Sequence, residues 1–427
     1  MVENNKIYMK KIFIATFIFL SFILSSCCNA QQEQVLTGID VLESNGFAQL
    51  KGKKVGLVTN PTGVNKDLVS TVDILFGTKD VELVALYGPE HGVRGNVHAG
   101  DKVDGNIDTK TGLTVHSLYG KTRKPTPEML EGLDAIIYDI QDNGCRSFTY
   151  ISTMGVVMEA AAENNVEVIV LDRPNPLSGL KVEGSLVEDG FTSFVSQFKI
   201  PYVYGLTCGE LATMLNEEGM IKDKDGKVLK CKLTVVPMKG WKRDMFFEDT
   251  NLPWVLPSPH VPQVESALYY PATGILGELG IFSIGVGYTL PFQLVATEGI
   301  DPDKLAEVLN ARNIPGVKFR PINIKPFYAV GVGSNFQGVQ LYIMDKKLAP
   351  LSDLQFHIME VIAELYPEKA ALKIAPENRH RMFNLVTGSD FYWTEFAKNH
   401  KWSDIKDRWY KDVDSFVELS SKYYLYQ

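Results

Sequence analysis

Four short, β-branched apolar runs recur in the first half of the chain, and each breaks off into a dense polar cluster. They are Val55 to Thr59 before Asn60-Pro61-Thr62-Gly63, and Leu83 to Tyr87 before Gly88-Pro89-Glu90-His91-Gly92. The others are Ala135 to Tyr138 before Asp139-Ile140-Gln141-Asp142, and Val168 to Leu171 before Asp172-Arg173-Pro174-Asn175. Runs of this length, bounded by turn residues, predict strands. Helical periodicity follows them at Leu68 to Phe76, Tyr150 to Asn164 and Cys208 to Glu218, with Thr207 placed to cap the last. A fifth strand is expected at Leu233 to Val236. Strand alternating with helix predicts an α/β fold, a Rossmann-like and mostly parallel sheet covered on both faces. The polar clusters then share the carboxyl edge of that sheet, where such folds hold their ligands.

The pattern changes near Asn251. Pro253, Pro257, Pro259, Pro262 and Pro271 remove backbone donors, so residues 251–271 are expected to be extended and irregular, with a glycine-rich stretch from Gly274 to Gly287 after them. Beyond Thr289 the chain reads as a smaller α+β unit. Its expected helices are Pro302 to Arg312, Asp353 to Leu365 and Ser389 to Ala397, its strands lie near Val317 to Pro321 and Gly338 to Met344, and Trp409 to Tyr424 closes it as an amphipathic helix.

At the amino end Lys6, Lys10 and Lys11 precede an apolar run from Ile12 to Leu24, too short to span a bilayer comfortably. The run ends in Leu24-Ser25-Ser26-Cys27, which resembles a bacterial lipobox with Cys27 as the lipidated residue. The expected organisation is a leader over 1–27, a tether over 28–35, a Rossmann-like catalytic domain over 36–289 and an auxiliary domain over 290–427. Such a chain would work outside the cytoplasm as a membrane-anchored lipoprotein of the periplasm or outer membrane. A dispersed net charge of -8 speaks against nucleic acid as a partner. Cys145, Cys208 and Cys231 are too few and too irregularly spaced for a disulfide framework, and Cys145 reads as a small packing residue between Gly144 and Ser147.

Glu90 and His91 follow a strand in a glycine-bounded turn, where a partly desolvated carboxyl can serve as a general acid. The bland alternative is an ion pair with Arg94. Asp139, Gln141, Asp142 and Arg146 offer acceptors, an amide and a guanidinium within one turn, a mixture suited to sugar hydroxyls and carboxylates. Asp172, Arg173 and Asn175 form a third cluster, in which Asp172 can equally anchor Arg173. His91, Asp139 and Asp172 would be the natural metal ligands, but there is no HExxH and no close histidine pair, so neither metal nor cofactor is expected. The Gly-x-Ser-x-Gly elbow of serine hydrolases is missing, and the first strand does not run into a dinucleotide fingerprint.

Taken in order, Gly56 to Gly63, Gly88 to Gly95, Asp139-Ile140-Gln141-Asp142 with Arg146 and Tyr150, and Asp172 to Pro176 resemble the exo-β-N-acetylmuramidase family, long catalogued as a domain of unknown function. Tyr270-Pro271 with Glu278, and Gln337-Gly338-Val339-Gln340, extend the resemblance over nearly the whole chain beyond the leader. It implies a catalytic domain and an auxiliary domain with the cleft between them, and release of N-acetylmuramic acid from the non-reducing end of peptidoglycan fragments. By that analogy Glu90 is the catalytic carboxyl.

Glycoside hydrolysis usually needs a second carboxylate. Asp142, Asp139 and Glu278 are the candidates, with Glu298 near the domain junction, and a route assisted by the substrate's own acetamide would need only a polarising Asp. Arg94, Arg146 or Arg173 would grip the lactyl carboxylate. Asn60, Gln141 and Asn175 would hold hydroxyls or the acetamide, and Tyr87 and Tyr150 would either face the sugar or pack in the core. The family usually carries Gly-Arg-Gly where this chain has Gly285-Val286-Gly287, which leaves that arginine's contact to be supplied elsewhere. The competing reading is a lipid-anchored protein that captures a sugar or muropeptide without cleaving it.

Overall fold

The computed structural model describes residues 34–95, 106–120 and 122–427. The leader, Cys27 and all of the tether but its last two residues lie outside the described residues. Val35–Gln427 forms a compact unit by itself.

Its first part carries strands β1 (Lys54–Thr59), β2 (Glu82–Gly88), β3 (Asn106–Ile107), β4 (Thr114–Ser117), β5 (Ala135–Asp139), β6 (Glu167–Leu171), β7 (Val182–Glu183), β8 (Val203–Tyr204) and β9 (Leu233–Val236). One sheet runs β3-β4-β2-β1-β5-β6-β9, parallel throughout except for the edge strand β3, while β7 and β8 form a separate antiparallel pair. Counted in chain order, the six parallel strands lie 3-2-1-4-5-6, the doubly wound order whose direction reverses between β1 and β5. All four predicted strand ends therefore do meet on one edge.

Alternation along the strands builds two cores. Val58, Ile136, Tyr138, Val168 and Val170 point to the face covered by helices Tyr150–Glu163 and Cys208–Glu217. Val55, Leu57, Ala135, Ile137 and Ile169 point to the other, under helices Gly38–Ser44 and Thr71–Gly77. Thr207 caps as expected. Its Oγ1 accepts from the Glu210 N–H at 3.2 Å, and the Glu210 carboxylate returns the bond to the Thr207 N–H at 3.1 Å.

The second part is built on an antiparallel sheet with β12 (Phe336–Ile343) between β10 (Leu294–Thr297) and β11 (Val317–Ile324), backed by helices Pro302–Ala311 and Leu354–Leu365. Its core is continuous with the first part, because Cys145, Tyr202 and Val203 are buried in one cluster with Ala272, Phe356 and Trp409.

Two expectations fail. The irregular proline-rich stretch ends early, and Val264–Gly277 is a helix with Pro271 inside it. Burial of Ala267, Leu268, Ala272, Ile275 and Leu276 outweighs the lost proline bond. The single closing helix is two, Lys406–Tyr410 and Val413–Ser421. The first is pinned where Trp409 donates to Ser352 at 3.0 Å and Tyr410 to Asp353 at 2.5 Å. Strands β4 and β10 and helix Glu377–Thr387 were not anticipated at all.

Candidate active site

The chain reverses sharply as β2 ends. The Gly92 N–H donates to the Pro89 carbonyl at 2.9 Å, and His91 and Gly92 both take a left-handed φ of 72°. Glycine adopts this freely, whereas a histidine held there costs about 1–3 kcal/mol, a strain typical of functional turns. A Cβ on Gly88 would stand 3.2 Å from the Gly92 Cα, so the fold-back is tight. It buries His91 and leaves Glu90 half-buried on a cleft.

That cleft has two lobes. The first, about 350 Å³, is lined by the carboxyl-edge loops through Glu90, His91, Tyr119, Arg123, Ser147 and Tyr150. The second, about 360 Å³, is lined by Gly274 and Glu278 of helix Val264–Gly277 and its C-cap, by Val286 from the loop that follows, and by Val330. Glu90, His260, Tyr270 and Phe292 line both. Each lobe has the volume of a small-molecule site.

The Tyr119 hydroxyl is hydrogen-bonded to Glu90. Burial first, then the charge of Glu90, pushes its pKa up to about 12, so it stays a donor. Burial likewise raises the Tyr150 hydroxyl, which donates to the Pro257 carbonyl. Tyr270 is held well above its ordinary range by burial, with Glu278 and Glu90 adding to the shift, and its hydroxyl lies 3.2 Å from that of Ser147. Burial raises the Glu278 carboxyl pKa, and Arg379 offsets part of that. His260 is shifted down by burial and by His91, against the pull of Glu90, which favours a neutral imidazole. Its ring stacks on Tyr328 with centroids 6.0 Å apart.

Of the residues expected from sequence, Glu90, His91, Tyr150 and Glu278 line the cleft. The others line neither lobe and are engaged in the scaffold around it. Asp139 is fully buried in a two-point pair with Arg173, at 2.6 and 3.0 Å, and accepts from Thr71 at 2.5 Å. Asp172 accepts from Thr207 at 2.7 Å, Gly209 at 2.8 Å and Tyr426 at 2.5 Å. Asn175 ties Leu177 to Leu206, Gln141 donates to the carbonyls of Asp142 and Pro174, and Asn60 accepts from Thr62. Asp142 is buried, accepting from Tyr204 and from the Gly144 N–H, and burial pushes its pKa up to about 7. Glu298 is exposed.

The three arginines expected on the lactyl group are all committed. Arg94 holds Asp108 at 2.9 and 3.0 Å, and Arg173 holds Asp139. Arg146, fully buried, spends its donors on the carbonyls of Ser185, Ile200, Val386 and Thr387 and on the Ser196 hydroxyl. Sequence reasoning missed Tyr119, Arg123 and His260, and quoted Tyr270 only within the family resemblance, with no role. The first two follow the unread strand β4, and His260 sits in the proline-rich segment.

His91, Asp139 and Asp172 do not converge, and no metal-ligating cluster occurs among the described residues. Burial pushes the Cys145 thiol up to about 12, which matches a packing role.

Fold and cleft define a two-part α/β protein with a carboxyl-lined, hydroxyl-rich site at the sheet's carboxyl edge. The chain belongs to the exo-β-N-acetylmuramidase NamZ family, whose amino-terminal model matches residues 55–265 and whose carboxy-terminal model matches 268–426. It is 44% identical to the peptidoglycan β-N-acetylmuramidase NamZ of Bacillus subtilis strain 168 over 397 residues, 93% of this chain and 92% of that one. A crystal structure of a DUF1343 family protein of Bacteroides fragilis superposes with a TM-score of 0.88 at 58% identity, covering 92% of this chain and 99% of that one. A second from the same organism gives 0.72 at 27% identity, with the same coverage.

Proposed function

We propose that this chain is an exo-acting glycoside hydrolase that releases N-acetylmuramic acid from the non-reducing end of peptidoglycan fragments, with Glu90 as the proton donor. The observation that carries the reading is the place of Glu90 on the boundary of the two lobes. A glycosidic oxygen joins two sugars, so its proton donor belongs where two sugar sites meet, and of the residues common to both lobes Glu90 is the carboxylic acid. Tyr119, hydrogen-bonded to it, holds its orientation. Glu278 is the second carboxyl of the cleft. The family match and the curated relative supply the substrate class.

The test is incubation of the purified protein with muramidase- or glucosaminidase-digested peptidoglycan, followed by assay for free N-acetylmuramic acid. The wild type releases it. Glu90→Gln loses about 10²- to 10⁴-fold in kcat, the usual worth of a positioned acid, while still binding the fragments. A wild type that binds and releases nothing would instead identify a capture protein, and a fully active Glu90→Gln would displace the acid elsewhere. The leader and lipobox further support an extracytoplasmic enzyme held to the membrane by acylated Cys27.

A further inference from the structure

A muramic acid differs from a glucosamine by its lactyl group, whose carboxylate is held most strongly by a cation that can also donate hydrogen bonds. With Arg94, Arg146 and Arg173 committed elsewhere, the lining of both lobes holds one permanently charged cation among the described residues, and no lysine. That cation is Arg123. Its guanidinium lies over the Phe194 ring, 4.3 Å from the centroid, and 6.0 Å from that of Tyr119. Stacking on Phe194 occupies a face of the guanidinium and leaves its N–H edge for a planar two-point acceptor. Among the described residues Arg123 makes no ion pair, and it is exposed at the mouth of the first lobe. Arg123 and Glu90 both lie near Tyr119, whose hydroxyl is bonded to Glu90 and whose ring centroid is 6.0 Å from the Arg123 guanidinium, and all three line the first lobe, so a sugar bonded at Glu90 would have Arg123 within reach of a substituent. The second lobe offers a carboxylate there instead, Glu278, among Phe282, Ile284 and Val286.

We infer that Arg123 is the specificity residue that reads the lactyl carboxylate, so that the first lobe takes the muramic acid and the second takes the leaving group. This rests on the glycosidase reading above. The test compares chromogenic β-glycosides of N-acetylmuramic acid and of its lactyl methyl ester in the wild type, Arg123→Ala and Arg123→Lys, with direct titration of free N-acetylmuramic acid and N-acetylglucosamine.

A charge-assisted pair predicts that Arg123→Ala lowers the acid-to-ester ratio of kcat/KM by about 10- to 100-fold, mainly through KM, and weakens N-acetylmuramic acid relative to N-acetylglucosamine by a similar factor. Arg123→Lys recovers part of both. An unchanged ratio in Arg123→Ala, with the wild type active, overturns the inference alone. A wild type inactive on every muramoside overturns the glycosidase reading, and this one with it.

Discussion

At the scale of single residues, the acids of this chain divide by surroundings more than by motif. Glu90 is left at the cleft, while Asp142 and Asp172, equally prominent in the sequence, are sealed beneath it. Burial raises Asp142 to about 7 and Asp172 to about 6, well above an unfolded carboxyl. The folded state then binds these protons more tightly than the unfolded one, so their contribution to stability is complete below pH about 4 and is lost as pH rises through 6 and 7.

Asp108 and Glu167 run the other way. The Arg94 hydrogen bond lowers Asp108 to about 2, and Lys232, Lys53 and Thr234 overcome burial to lower Glu167 to about 2. Their contribution is present above pH about 4 and lost as pH falls toward 2. Asp142→Asn should therefore flatten the alkaline side of the stability profile and raise the unfolding free energy at pH 8 by an amount on the order of a few kcal/mol, seen as a higher Tm there, with little effect at pH 4. Thermal denaturation across pH 3 to 9 measures it, and a variant less stable than wild type at pH 8 would refute it.

Among the elements, strands were legible and their attachments were not. β1, β2, β5, β6 and β9 could be read because buried parallel strands are continuous β-branched runs. β4 has only four residues, one of them a histidine, and so gave no run. The helix Val264–Gly277 was hidden by Pro271, whose cost is met by core packing that sequence periodicity does not reveal. For the same reason Glu90 could be picked out after β2, but Tyr119, Arg123 and His260 could not. Nor could sequence alone tell which arginine was free. Arg146, in a polar loop, looked like a ligand and is instead a brace from the loop after β5 to the last turn of helix Glu377–Thr387. Its charge is balanced by carbonyl dipoles, including those of a helix carboxyl end. Arg146→Met should leave several of these carbonyls unsatisfied and cost roughly 3 kcal/mol or more, read as a lower urea midpoint with an unchanged slope.

For the whole molecule, the two family models meet within a body whose hydrophobic core does not stop at their border. Val35–Gln427 carries the sheet, the cleft and both candidate carboxyls. Removing residues 1–34 should leave Tm and turnover on soluble fragments unchanged while abolishing membrane association, a split measured by calorimetry, a soluble-substrate assay and cell fractionation. If turnover falls with the truncation, residues 1–34 contribute to catalysis as well.

The brace at Arg146 also bears on how the enzyme breathes. Ser147, the next residue, lines the first lobe and touches Tyr270 of the second part, so the two walls are riveted at their base. A tie of this kind resists separation of the walls at that point. Among the described residues, the base of the cleft is therefore shaped before any substrate arrives, and little ordering of these two walls is left for binding to supply.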